Sequence, residues 1–129
     1  PGALYGRATD EVATRLQQAV PLTHVRFMKA LPDSARFGDY FLAHAGVRPG
    51  LALDEQSPTD LRWIRAAFLD SAVDHGGMVI HGHSEQPGVD ERANRIGVDT
   101  GAYRTGLLTA VWVDEDERGY LHVQGEATA

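Results

Sequence analysis

Two short apolar runs constrain this chain most, because each leads into a histidine beside a glycine. The run Tyr40–Ala43 is followed by HAG, and the run Met78–Ile80 is followed by HGH. Apolar runs of this length predict buried strands. Ligands of α/β sheets bind in the crevice beyond the carboxyl ends of the strands. We therefore expect His44 and His83 to lie at such a crevice.

The two histidines have the chemistry of metal ligands. Neutral imidazole is the commonest metal ligand in proteins, and a neighbouring glycine lets the backbone turn sharply. Two alternatives remain open: a histidine at a strand end that only forms hydrogen bonds, and a metal pair made by His81 and His83 as His-x-His. The second alternative needs a further ligand, for which Asp99 is the best candidate. The remaining histidines are interpreted as surface or structural residues: His24, His75 and His122.

The order of helix and strand signals predicts an α/β fold, with α+β as the alternative, and a mixed sheet. One long helix is expected after Ser57, because Ser57 can cap it and Pro58 and Asp60 suit its first turn. The segment LPDSARFGD is interpreted as a turn-rich connection. The predicted elements are a helix at Asp10–Ala19, a second helix opened by Pro21, a helix over SPTDLRWIRAAFLDSAV, a short strand at Ile96–Val98, and a hairpin of Leu107–Val113 with Tyr120–Val123 around DEDERG.

Composition excludes several classes of function. A length of 129 residues is typical of one domain or part of one. The formal net charge of -6 argues against a nucleic-acid surface, which needs a basic patch. No apolar run approaches the roughly 20 residues that cross a bilayer, so no membrane partner is expected. The absence of cysteine, and of a basic and apolar leader, favours a cytoplasmic protein over a secreted one.

Three segments together resemble a known family. They are FLAHAGVRPGLALDEQSPTDLRWIRAAFLDS, VIHGHSEQP and NRIGVDTGAYRTGLLTAV. In this order and spacing they resemble the C-terminal half of the calcineurin-like metallophosphoesterases, in particular the bacterial serine/threonine protein phosphatase and diadenosine tetraphosphatase branch. The resemblance covers about Pro21 to Val113. It implies that residues 1–129 are the C-terminal portion of a single domain, a two-sheet sandwich with flanking helices.

The resemblance also implies roles for individual residues. His44 and His83 match the two histidines that ligate one metal of a dinuclear centre, and Arg65 matches the arginine that grips the substrate phosphate. No residue of this chain matches the catalytic histidine. His81 matches no usual ligand of this branch and is interpreted as a residue that supports the site through a hydrogen bond. The segment from Asp99 to Tyr103 matches a family segment that is expected to shape the floor of the site, with Tyr103 as a residue that can face the pocket.

Two departures from the family pattern limit the comparison. Ser84 and Glu85 replace the usual Thr-Pro, and Glu85 places an acid near the expected phosphate entrance. The upstream Asp-x-His, GDxxDRG and GNH motifs do not occur; the Gly38-Asp39 pair lacks the Asp-Arg-Gly that follows in that motif. The motif-bearing N-terminal half is therefore expected to be absent, and with it half of the site.

The resemblance implies metal-dependent phosphoester hydrolysis by the parent protein. Two divalent ions (Mn, Fe or Zn) would complete the site, and the substrate would be a phosphoprotein or a dinucleoside polyphosphate. The isolated 129 residues are expected to be inactive and prone to self-association, because a missing half leaves a sheet edge or face uncovered. The alternative from another class is a non-catalytic binding or assembly module derived from the same fold.

Overall fold

The computed structural model describes the backbone of residues 2–114 and 117–126, and the side chains of residues 9–114 and 117–126. The chain divides into two units, residues 1–32 and residues 33–129. Within the described residues, no helix is both long enough and apolar enough to cross a membrane.

The first unit is a pair of helices, as predicted. Helix α1 spans Gly2–Ala19, so it begins earlier than the apolar periodicity indicated, and α2 spans Leu22–Ala30 with Pro21 as its N-cap. A proline before the first turn costs no hydrogen bond, since the first backbone N–H groups of a helix have no partner within it. Several large apolar side chains are exposed on these helices and at the residue after α2. They are Val12, Leu16, Leu22, Phe27, Met28 and Leu31.

The second unit contains a five-stranded mixed sheet and a two-stranded sheet, so an α/β fold with two sheets is present. The strands of the larger sheet are β1 (Ser34–Phe37), β2 (Tyr40–Ala43), β3 (Met78–His81), β4 (Asp90–Glu91) and β5 (Arg95–Gly97), in the spatial order β1-β2-β3-β5-β4. The central strands β2, β3 and β5 are parallel, and both outer strands are antiparallel to their neighbours. The carboxyl ends of β2, β3 and β5 therefore open on the same edge.

Strand β1 corrects the prediction of a turn-rich connection over LPDSARFGD. Residues Ser34 to Phe37 pair with β2, and a two-residue turn at Gly38 and Asp39 joins the two strands. Gly38 has a φ of 54°, a conformation that glycine adopts without steric cost. Three of the four residues of β1 are exposed, so this edge strand carries no apolar alternation that the sequence could have revealed.

The long helix predicted after Ser57 is broken into two. Helix α3 spans Pro58–Trp63 and α4 spans Ala66–Leu69. The predicted cap is present, because the Ser57 hydroxyl accepts a hydrogen bond from the Asp60 N–H at 3.1 Å. The break falls at Ile64, whose ψ of 145° is extended, and at Arg65, whose φ and ψ of -133° and -111° are not helical. Neither residue is a glycine or proline, so no local signal marked the break.

The core fills both faces of the larger sheet. On one face, Phe41 and Val79 pack in a cluster with Leu61, Ile64 and Phe68 from the α3–α4 segment. The other face has a cluster of Tyr40, Ile80 and Ile96, against which side chains of the hairpin pack. The hairpin consists of β6 (Leu107–Asp114) and β7 (Glu117–Gln124), preceded by the short helix α5 (Ala102–Thr105). The hairpin was predicted; its strands are longer than expected, and residues 115–116 of its turn lie outside the described residues.

Candidate functional site

The two histidines selected from the sequence meet at the carboxyl edge of the sheet. His44 directly follows β2, and His83 comes two residues after β3. His44 Nε2 lies 3.2 Å from His83 Nδ1, and the ring centroids are 5.0 Å apart. They meet because β2 and β3 are parallel neighbours, which brings both strand ends to one place.

The backbone at His83 turns its ring toward His44. His83 has a φ of 64° and is the only non-glycine residue with a positive φ among those that the structure describes. A left-handed conformation costs roughly 1–2 kcal/mol for a residue with a Cβ atom. The preceding Gly82 donates its N–H to the His44 carbonyl at 2.9 Å, which ties the two strand ends together. Unfavourable backbone conformations of this kind cluster at functional sites, so His83 is a candidate on geometry as well as on residue type.

The spacing of the two nitrogens fits a shared metal ion. Two imidazole nitrogens at about 2.0–2.1 Å from one zinc ion, with an angle of about 90–110° between the bonds, lie about 2.8–3.4 Å apart. The observed 3.2 Å falls in this range. It also fits a hydrogen bond in which one ring donates an N–H to the other, so the distance alone is compatible with both states.

The electrostatic surroundings keep His83 in the form that binds metal. Burial lowers the pKa of the His83 imidazole, and the nearby positive charge of Arg65 and the His44 ring lower it further, while Asp99 raises it. A neutral imidazole has a free lone pair for a metal ion. The other nitrogen of the same ring, Nε2, is buried without a hydrogen-bond partner among the described residues.

Arg65 lies where its charge reaches this pair. It occupies the break between α3 and α4, its side chain is exposed, and it is among the charges that lower the pKa of His83. It makes no ion pair with any described side chain, whereas Arg62 in the same segment is held by Asp33. Arg65 is therefore free to engage an anion at the histidine pair, as its predicted role requires.

His81 points away from the pair. Its side chain is buried, with 3% of the residue exposed, and its ring meets the Phe68 ring edge-on with centroids 4.9 Å apart. Its Nδ1 lies 3.1 Å from the Gly82 carbonyl. Burial is the main cause that lowers the pKa of His81. Within the described residues, no three His, Asp or Glu side chains are grouped to hold one ion, so the His81–His83 alternative gains no third ligand from Asp99.

Asp99 shapes the loop behind the site. Its Oδ1 accepts the Gly101 N–H at 3.0 Å, and its carbonyl accepts the Gln86 N–H at 2.9 Å. Its negative charge raises the pKa values of both His81 and His83, which places it near both rings. Asp99 thus both orders the loop and contributes to the field at the pair.

The hydroxyl of Tyr103 forms a hydrogen bond with Glu85. Its hydroxyl donates to Glu85 Oε1 at 2.8 Å, and 73% of the residue is exposed. Arg104 donates to Glu85 Oε2 at 2.5 Å. The Arg104 and Tyr103 hydrogen bonds lower the pKa of Glu85. The acid expected near the phosphate entrance is therefore paired locally with a positive charge.

Trp63 is a site residue that the sequence reasoning missed. Its ring centroid lies 5.7 Å from that of His83, with an angle of 87° between the planes. At helical spacing Leu61, Ile64 and Phe68 share one apolar face, and Trp63 falls outside it, so the periodicity does not select Trp63. The sequence feature that could have indicated Trp63 as a site residue is its position two residues before Arg65, in the stretch RWIR.

Comparisons with known proteins leave the family open. No protein-family model matches this chain, and a search of curated proteins finds no match. The resemblance to metallophosphoesterases thus depends on the motifs alone, and the function that it implies is put forward below as a proposal.

Proposed function

We propose that this chain contributes part of the metal site of a phosphoester hydrolase, with His44 and His83 as ligands of one divalent ion. The observation that supports the proposal best is the 3.2 Å separation of His44 Nε2 and His83 Nδ1 at the carboxyl edge of the sheet. Sheets with parallel central strands bind their ligands at that edge. The nearby unpaired Arg65 adds the positive charge that a phosphate requires.

Each residue has a defined task in this proposal. His44 Nε2 and His83 Nδ1 would hold one ion through their lone pairs, which requires both rings to be unprotonated at these atoms. Burial and the charge of Arg65 favour the neutral form of His83. A divalent ion held by these two histidines would supply Lewis acidity and would lower the pKa of a water bound to it. The Arg65 guanidinium binds the phosphoryl oxygens and stabilises the charge that they gain in the transition state.

The pair is too small to act alone. Metal sites in proteins usually have three or four protein ligands, and here two histidines converge. The second ion, the remaining ligands and the group that protonates the leaving alcohol must come from residues other than those described. We therefore propose that the isolated chain is inactive, that the complete protein is a cytoplasmic phosphatase with Mn, Fe or Zn, and that its substrate is a phosphoprotein or a dinucleoside polyphosphate.

A metal titration tests the site directly. Zn²⁺ or Mn²⁺ is added to the 129-residue chain, and the imidazole signals are followed by NMR spectroscopy. We expect weak binding that shifts or broadens the His44 and His83 signals and is lost in His44→Ala and His83→Ala. The matched control is His24→Ala, because His24 lies exposed on α2. Binding that survives both substitutions would refute the assignment.

Activity tests the wider proposal. Hydrolysis of an activated phosphoester with Mn²⁺ is compared between the isolated chain and a chain extended upstream to include the Asp-x-His, GDxxDRG and GNH motifs. We expect turnover only in the extended chain. Robust turnover by the isolated chain would contradict the division of the site, and a lack of turnover in a folded, metal-loaded extended chain would contradict the function.

A non-catalytic module is the second candidate, and one observation favours it. At 3.2 Å the two histidines can satisfy each other by a hydrogen bond without any ion. In that case the pair ties β2 to β3 and stabilises a binding or assembly domain. His44→Ala would then lower the free energy of unfolding in the presence of a chelator as much as in the presence of metal.

A further inference from the structure

An exposed indole lies beside the histidine pair. Trp63 is the last residue of α3, and 66% of it is exposed. Its neighbours Leu61 and Ile64 are buried in the core, so the backbone that carries the indole is anchored while the ring itself faces solvent.

The contact with His83 leaves a face of the indole open. The two rings are nearly perpendicular, at 87°, which is an edge-to-face arrangement. Such a contact occupies at most one face of the indole. The high exposure of Trp63 shows that the remaining ring surface is accessible to a ligand that reaches the histidine pair.

We propose that Trp63 is a stacking platform for a planar ring that the phosphoester carries next to its phosphate. This inference rests on the proposed function, since His44, His83 and Arg65 place the phosphate beside the indole. Two kinds of phosphoester carry an aromatic ring within reach of a bound phosphoryl group. The ring is joined directly to the ester oxygen in an aryl phosphate and through a ribose in a nucleoside monophosphate.

The size of the effect follows from aromatic stacking. Stacking of one base on an aromatic side chain corresponds to about 5- to 140-fold in affinity. Trp63 therefore makes the site selective for ring-bearing phosphates over alkyl phosphates. Removing the indole lowers this selectivity without removing the phosphate interaction, because Arg65 and the histidines remain.

The chain offers a direct test because it has two tryptophans, each with its own indole N–H signal in an ¹⁵N NMR spectrum. The Trp112→Phe variant assigns the two signals. Phenyl phosphate, methyl phosphate, AMP and ribose 5-phosphate are titrated with Zn²⁺ present. Trp112 serves as the internal control, since it lies on β6 and is also partly exposed.

We expect phenyl phosphate, AMP or both to shift the Trp63 signal and leave the Trp112 signal in place. The ring-bearing probe should bind about 5- to 140-fold more tightly than its partner without a ring. Trp63→Ala should bring that ratio close to one, and Trp63→Phe should retain part of it. A preference for AMP alone identifies a nucleotide, and a preference for phenyl phosphate alone identifies an aryl ester.

The test separates this inference from the function on which it rests. Loss of methyl phosphate binding in Arg65→Ala tests the phosphate site, and the ratio of ring-bearing to ring-free probes tests Trp63. Equal affinity for both kinds of probe overturns the platform, as does a preference that persists in Trp63→Ala. A Trp63 signal that no probe moves also overturns it.

Discussion

The N–H of Gly82 donates a hydrogen bond to the carbonyl of His44 at 2.9 Å, and this bond joins the ends of two parallel strands where their histidines meet. It extends the β2–β3 pairing one step beyond the strands themselves. Gly82 is then followed by His83 at a φ of 64°, so the chain leaves the sheet in a turn that directs the imidazole toward His44.

Replacing His83 with glycine should be less damaging to the fold than replacing it with alanine. Both changes remove the imidazole, but only alanine keeps a Cβ atom in the left-handed conformation. We expect the glycine variant to be more stable by about 1 kcal/mol. Free energies of unfolding from urea titrations measure the difference. A more stable alanine variant would show that the φ of 64° does not persist in solution.

Arg65→Ala should lower catalysis in the chain extended upstream. Losing a donor that stabilises charge in the transition state costs about 2–4 kcal/mol, a fall of about 30- to 1,000-fold in kcat/KM. The matched control is Arg62→Ala, because Arg62 is already paired with Asp33 at 2.5 Å. An equal loss of kcat/KM in both variants would show a general electrostatic effect instead of a specific role for Arg65.

Stability should fall as the pH is lowered from about 7 to about 5, around the ordinary histidine pKa of about 6.5. Burial lowers the pKa values of His75 and His81 in the folded chain. The unfolded chain therefore binds more protons in this window, and its protonation favours unfolding. The histidine contribution is fully present above the unfolded pKa and is lost as the pH falls below it.

Denaturant titrations at several pH values measure this dependence. His81→Gln should reduce the slope of unfolding free energy against pH, because it removes one of the buried titrating rings. His24→Gln is the control, since His24 is exposed on α2. A slope that is the same in His81→Gln and in the original chain would assign the pH dependence to other groups.

The outer face of the hairpin should promote self-association. Leu108, Trp112, Leu121 and Val123 are exposed there, and Leu108 lies opposite Val123 in the strand register. An exposed apolar patch of this kind favours association with another surface. Sedimentation velocity at increasing concentration should show a dimer or larger species, and Leu121→Lys should shift the chain toward the monomer. A monomer at every concentration would contradict the expectation.

The sequence by itself predicted the parts of the fold that depend on local physical chemistry. The apolar runs predicted the strands β2 and β3, although Leu42 in β2 is 38% exposed. Ser57 before α3, with Pro58 and Asp60 in its first turn, satisfies and complements a helix N-terminus. Because parallel strands end on one edge, the meeting of His44 and His83 could also be expected. Their role as metal ligands stays a prediction.

The tertiary structure decided what depends on distant neighbours. The residues of β1 are mostly exposed, so their burial does not explain why they form a strand. They form one because they pair with β2 at the edge of the sheet. The break at Arg65 separates two helical segments that both insert apolar residues into one core, Leu61 before it and Phe68 after it. The backbone conformations of Ile64, Arg65 and His83 depend on packing between residues that are far apart in the chain. Rules that use only neighbouring residues therefore cannot predict them.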